Sequence, residues 1–152
     1  MNLRMPERVR VDAVIQAAMD MEAAPFLHEL APLGDAETPD AVLGGSRMTQ
    51  RFALGELEGK SVLVVTSGIG LANAACATAR ALALVDTPVV IAAGTTGGLA
   101  RDINVGDIAA GTTAIYGQAD ATAFGYAPGQ IPQMPVDYTS SEAAAARLDD
   151  LS

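Results

Sequence analysis

Three stretches of this sequence bring reactive or ligand-binding groups into flexible surroundings. Gly94-Thr95-Thr96-Gly97-Gly98 interrupts the apolar run 89–93 and sets two hydroxyls among three glycines. Five apolar residues without alternation predict a strand buried on both faces. Turns at the carboxyl ends of such strands line the ligand crevice of open α/β sheets. Glycines there let the backbone approach a flat ligand, although the same turn also serves as plain structure with Thr95 and Thr96 as caps. Glu22 follows a predicted strand, 9–18, with Asp20 two residues before it. A carboxylate at a strand end can face the same crevice as the Gly-Thr-Thr turn. In the first turn of a helix it also simply complements the dipole. Ser67-Gly68-Ile69-Gly70 joins another apolar run to an alanine-rich segment. A helix N-terminus of this kind offers unpaired N–H groups to a polar ligand, or its glycines only pack helix on strand. The turn has no Lys or Arg and does not match the phosphate-binding P-loop.

Other reactive side chains point more to structure. His28 is the single histidine and sits beside Glu29 on a predicted helix, so any Ser-His-Asp arrangement would depend on it alone. Cys76 is the single cysteine, which excludes an internal disulfide and a Cys-rich zinc site. Its alanine neighbours predict a small buried core position. Asp120 reads as a turn former rather than a ligand.

The elements that must position these groups follow from pattern. The chain has 152 residues, half of them apolar, which favours one domain over 1–152 with a sizeable core. Nine Lys and Arg face eighteen Asp and Glu, a formal charge of −9. Such a surface repels phosphate backbones and anionic membranes, so neither nucleic acid nor a membrane is an expected partner. Residues 62–85 carry a single charge, Arg80, but the break at 66–70 makes them strand, turn and helix rather than a span. The amino terminus, with Arg4, Arg8 and Arg10, lacks a signal-peptide apolar run, and a cytoplasmic location is expected.

A strand is predicted over 9–18 and a helix from 19 to about 33, with Pro25 tolerated only in its first turn. Residues 34–46 read as loop. Alternation over 51–57 predicts an edge strand, and Glu58-Gly59-Lys60 turns it into a buried strand at 61–66, the two forming a hairpin. A helix is predicted over 71–85, with Leu71, Ala75, Thr78 and Leu82 at helical spacing. Another strand is expected over 105–116. Residues 117–135 read as an ordered loop in which Phe124 and Tyr126 are half-buried anchors or interface residues. A last helix is expected from Ser140 or Ser141 as cap. A sheet with so few returning elements looks short, which predicts an uncovered apolar edge prone to association.

In order along the chain, Ala18-Met-Asp-Met-Glu22, Ser67-Gly-Ile-Gly70, Gly94-Thr-Thr-Gly-Gly-Leu-Ala100, Val105-Gly-Asp107, Asp120-Ala-Thr-Ala-Phe-Gly-Tyr126 and Gly129-Gln-Ile-Pro132 form one pattern. With it the sequence resembles the 5′-methylthioadenosine/S-adenosylhomocysteine nucleosidases of the nucleoside phosphorylase superfamily, over most of residues 11–135. The resemblance implies an α/β three-layer sandwich around a mixed, partly barrel-like sheet, usually a homodimer, without metal or cofactor. It implies a purine nucleoside as small-molecule partner and hydrolysis of the bond between adenine and ribose. Glu22 matches the glutamate that orients and activates water. Met19 and Ile69 match residues flanking the ribose and the 5′-thio group. Thr95, Thr96 and Gly97 match the turn beside purine and ribose, where the family more often has Ser-Ala-Gly. The Phe124 loop resembles one near the subunit interface and the 5′ end of the substrate. Phosphorylases of the superfamily place a phosphate-holding arginine two residues before the turn glycine, where this sequence has Ala92. No arginine stands in either glycine turn, so water is the expected nucleophile. The family's Met-Glu pair for the ribose hydroxyls and its Ser-Asp acid have no counterpart before Ser152. Tyr116-Gly-Gln-Ala-Asp120 also departs from the family's Tyr-His-Asp-Ala-Asp. An amino-terminal fragment with little or no catalysis of its own is therefore expected. A purine or uridine phosphorylase, or a nucleoside-binding module without chemistry, are the competing readings.

Overall fold

The computed structural model describes residues 8–33, 50–143 and 146. The predicted loop at 34–46 and most of the predicted last helix lie outside the described residues. The chain divides after Gly97 into two compact units.

The first unit is built on a mixed five-stranded sheet. Its strands are β2 (Ala13–Ala17), β3 (Ala31–Pro32), β4 (Arg51–Leu57), β5 (Lys60–Thr66) and β7 (Val90–Ala92), in the order β3-β4-β5-β2-β7. Strands β5, β2 and β7 run parallel, with Ile15 facing Val64 on one side and Ile91 on the other. β4 returns antiparallel on β5 from Arg51↔Thr66 to Leu57↔Lys60. Glu58 and Gly59, both at positive φ, make the tight turn of that hairpin. A short parallel pair, β1 (Val9–Arg10) with β6 (Val85–Asp86), stands apart from the sheet.

Because side chains alternate along strands, β2, β4 and β5 feed two separate cores. Val14, Phe52, Leu63 and Val65 turn to one face and meet Ala77 and Ala81 of α2 (Leu71–Leu84). Ile15, Ala17, Ala53, Val62 and Val64 turn to the other and meet Ala23 of α1 (Asp20–Glu29). One sheet thus lies between two helices, the three-layer α/β arrangement implied by the resemblance.

Several details depart from the sequence reading. The run 89–93 is not buried on both faces: β7 is the sheet edge among the described residues, hydrogen-bonded only to β2, and Val90 and Ile91 stay exposed. In α2 the inward positions are Ala77 and Ala81, so Leu71, Ala75 and Leu82 point outward and Thr78 is half-buried. Cys76, one position off that inward line, is exposed rather than buried. Pro25 lies inside α1 rather than in its first turn. The carbonyl it leaves unbonded is that of Met21, an exposed residue open to water. α1 stops at Glu29, where Leu30 takes an extended conformation leading into β3.

The second unit begins at Gly98. The strand expected over 105–116 is reduced to β8 (Thr113–Ala114), which pairs antiparallel with β9 (Tyr138–Thr139). Gly106 at φ 104 and the tight turn from Asn104 to Asp107 break the earlier part. Asp120 forms the turn expected of it, its Oδ1 accepting from the Thr122 N–H and hydroxyl at 3.0 and 2.7 Å. Those donors hold its carboxyl below the usual carboxylate range, the hydroxyl first. Phe124, in a short 3-10 turn (Thr122–Phe124), is 83% exposed, whereas Tyr126 is half-buried.

Candidate active site

Glu22 is the third residue of α1, at the carboxyl end of β2. Its two oxygens have different duties. Oε2 accepts from the backbone N–H groups of Ala18 and Met19 at 3.1 and 3.0 Å. Returning a glutamate to the N-cap N–H in this way is half of a capping box. Oε1 reaches across the sheet and accepts from the Thr95 N–H and the Thr95 hydroxyl, both at 2.8 Å. The two strands that bring these groups together, β2 and β7, are direct neighbours. Four donors on one carboxylate favour its charged form. Its pKa lies below the usual value, chiefly through the Thr95 N–H, then the Thr95 hydroxyl, with burial pushing the other way.

Gly94 makes this contact possible. A Cβ placed there would lie 2.9 Å from Glu22 Oε1 and 3.1 Å from its carboxyl carbon. Glycine is needed here for close approach, not for an unusual φ.

Beside α1 lies an open cleft of about 770 Å³, bordered by Met19, Asp20, Met21, Arg51, Ile69 and Asn73 among others. Its floor is fixed by Ser67, 1% exposed, which donates from both N and Oγ to the Ala17 carbonyl at 2.8 and 3.2 Å and so ties the end of β5 to β2. Gln16, a buried polar group of β2, bonds the Ala74 carbonyl and the Thr78 hydroxyl and ties the sheet to α2. Gly70, at φ 105, starts α2 and turns the chain past the cleft. Asn73 donates to the Ile69 carbonyl at 2.8 Å and holds that turn.

The structure therefore brings Glu22 and Thr95 into contact and places Met19 and Ile69 on the cleft wall. Ile69 is 71% exposed. Thr96 and Gly97 follow Thr95 in the same turn, exposed to solvent. Phe124 belongs to the second unit. His28 is exposed and bonds only its neighbour Glu29, at 2.8 Å. Sequence reasoning missed Arg51. No arginine stands within a glycine turn, but the pairing of Arg51 with Thr66 carries its guanidinium to the cleft beside Gly68 and Ile69, where it forms an ion pair with Asp20. The hairpin prediction held the signal: a charge at the free end of β4 has to lie beside the carboxyl end of β5.

The sequence model of the phosphorylase superfamily matches residues 12–151. A 5′-methylthioadenosine/S-adenosylhomocysteine nucleosidase of Anoxybacillus flavithermus is 45% identical over 91 residues, 60% of this chain and 39% of that protein. One of Actinobacillus succinogenes is 43% identical over 98 residues, 64% of this chain and 43% of the relative. Among solved structures, the nucleosidase of Neisseria meningitidis in complex with methylthio-immucillin-A superposes with a TM-score of 0.74 at 33% identity, over 92% of this chain and 58% of that one. The enzyme of Colwellia psychrerythraea in complex with adenine gives a TM-score of 0.76 at 32% identity, over 95% and 55%. The chain thus spans about two fifths of the length of these curated relatives.

Proposed function

The chain belongs to the phosphorylase superfamily, and on that premise we propose that it carries the water-activating part of a nucleosidase that hydrolyses the N-glycosidic bond of 5′-methylthioadenosine or S-adenosylhomocysteine and releases adenine. The observation that carries this reading is the Glu22 carboxylate, held ionised at the strand ends by the Thr95 turn.

The chemistry follows from that placement. As the ribose–adenine bond breaks, its electron pair leaves with adenine and positive charge develops on the ribose. Water adds to the ribose carbon and gives up a proton. An ionised carboxylate beside that water accepts the proton and stabilises the cationic ribose. Glu22 has no proton to give the departing adenine, which takes one from a different acid. A carboxylate offers about four lone-pair sites, and all four of Glu22 are in use. Three of the donors are backbone N–H groups and stay in place. The fourth, the Thr95 hydroxyl, can swing its hydrogen to another acceptor and free a site on Oε1 for water. In this reading Met19 and Ile69 flank the ribose and 5′-thio group, and Thr95, Thr96 and Gly97 lie beside the purine and ribose. The Phe124 loop is assigned on the resemblance alone to the neighbourhood of a homodimer interface and the 5′ end, in a cytoplasmic enzyme without metal or cofactor.

Water rather than phosphate is favoured because Ala92, the last residue of β7, stands where a phosphorylase has its arginine. Arg51 does enter the cleft, but Asp20 neutralises it and would repel a phosphate dianion. The test is adenine release from 5′-methylthioadenosine by the 152-residue chain and by any longer product of the same gene, with and without phosphate. Phosphate-independent release, reduced ~10²–10⁴-fold in Glu22→Gln, is expected of whichever form is active. Strict dependence on phosphate would overturn the hydrolase. Tight nucleoside binding without turnover in both forms would point to a binding module.

A further inference from the structure

The Asp20–Arg51 pair is the charged feature of the cleft that the proposed chemistry does not use. Asp20 and Glu22 are two residues apart on α1, so their side chains leave the helix on nearly opposite sides. Glu22 turns toward β7 and bonds Thr95. Asp20 turns toward β4 and pairs with Arg51. Asp20 and Arg51 thus line the same cleft as Met19 and Ile69, at the carboxyl ends of β2 and β5.

We propose that the Asp20–Arg51 pair recognises the zwitterionic amino-acid end of S-adenosylhomocysteine, the carboxylate on Arg51 and the ammonium on Asp20. The inference rests on the nucleosidase reading and deepens it by choosing between its two substrates. From the ribose carbon through the thioether to the amino-acid carbon is roughly 9 Å when extended, at single-bond lengths of ~1.5 Å, so the amino-acid end projects well beyond the thioether. Charge agrees. A lone anion such as phosphate would gain from Arg51 and lose to Asp20, whereas a zwitterion satisfies both. The pair is accessible, with side chains 61% exposed for Arg51 and 73% for Asp20. Arg51 uses one guanidinium nitrogen on Asp20 and makes no other side-chain bond among the described residues. A planar fork with donors to spare is suited to a second carboxylate. The thioether of 5′-methylthioadenosine ends in a methyl group and reaches neither charge.

The test measures affinity for both nucleosides on the 152-residue protein and on a longer product of the same gene by amide chemical-shift titration, or the kcat/KM ratio in a form that turns them over. The unchanged protein should favour S-adenosylhomocysteine about three- to tenfold, the discount from a buried pair reflecting solvent exposure. Arg51→Gln and Asp20→Asn should each abolish that preference while leaving 5′-methylthioadenosine within about twofold. Arg51→Lys, which keeps the charge and loses the fork, should retain only part of it. The ratio cancels general effects of a variant on folding. Equal affinity for the two nucleosides, or a preference that survives both neutralising variants, overturns the proposal and leaves the nucleosidase reading intact. Failure of both the 152-residue chain and a longer product of the same gene to bind either nucleoside overturns the nucleosidase reading, and the proposal with it.

Discussion

Gly94→Ala separates the packing of the site from its chemistry. The added methyl would lie 2.9 Å from Glu22 Oε1 and 3.3 Å from Oε2. Carbon–oxygen contacts settle at about 3.3–3.6 Å, so the carboxylate has to withdraw by roughly half an ångström. Its bonds to the Thr95 N–H and hydroxyl, now 2.8 Å, then lengthen to about 3.3 Å, past the usual limit of ~3.2 Å. Those two bonds are the largest causes of the low Glu22 pKa, so the pKa should rise back toward the ordinary value of 4.5. A 1 Å misplacement of a catalytic group costs ~10²-fold, and half that distance about tenfold, so adenine release by an active form should fall by about that factor. The fold should survive, because the methyl meets the mobile end of a side chain and Gly94 is outside the left-handed region. Tm should move by no more than ~2–4 °C. Carboxyl-carbon NMR titration of Glu22 reads the pKa whether or not the chain is active, with thermal unfolding as the control. An unchanged titration in a folded variant would refute the account of what lowers the pKa. Global unfolding would show that Gly94 is structural.

Removal of the hydroxyl alone, in Thr95→Val, should raise the Glu22 pKa partway, and Thr95→Ser should not. Glu22 has a lower pKa folded than unfolded, so its contribution to stability is present above about pH 4.5 and is lost as pH falls through the depressed value. Thr95→Val should therefore flatten the fall in stability across that acid window, as measured by urea unfolding at successive pH values. Val65→Ala, at a fully buried site in the core under α2, should cost about 2–3 kcal/mol in urea denaturation through two lost methyl groups and the cavity they leave. Cys76 should react fully with iodoacetamide in the native protein, counted by mass spectrometry, because it lies on the solvent side of α2. Protection until denaturant is added would refute that orientation.

The parts of the fold legible in the sequence are those fixed by local chemistry. Glu58-Gly59 announces a hairpin because both residues must accept positive φ, and β4 and β5 pair through it as expected. The phase of α2 was not legible. Alanine carries so little apolar surface that a line through Leu71, Ala75 and Leu82 reads as well as one through Ala77 and Ala81. Small residues alone let α2 lie close on Val14 and Val65, and that demand belongs to the sheet rather than to the helix. Burial of β7 was not legible either, since an apolar run records what a strand tolerates and not how many neighbours it has. The site divides the same way. Glu22 and the Thr95 turn could each be read as strand-end groups. Their contact across 73 residues of sequence depends on β2 and β7 being adjacent. Arg51 stayed hidden because its place comes from pairing with Thr66 and not from any motif.

Glu22 also limits what its own substitution can prove. Whether it reads as a helix cap or as a catalytic group turns out to be a division between its two oxygens: Oε2 caps α1 and Oε1 holds the Thr95 turn. Glutamine keeps the shape but replaces one acceptor oxygen by a donor NH2. With the amide toward α1, NH2 faces the Ala18 and Met19 N–H groups. Flipped, it faces the Thr95 N–H. Either orientation sets donor against donor, so Glu22→Gln loosens the cap or the turn in addition to removing the base. A rate lost in that variant mixes chemistry with positioning. Thr95→Val and Gly94→Ala leave the carboxylate present and change only how it is held. Rates measured in those two variants isolate the positioning part, and the remainder of the Glu22→Gln loss is what the charge itself contributes.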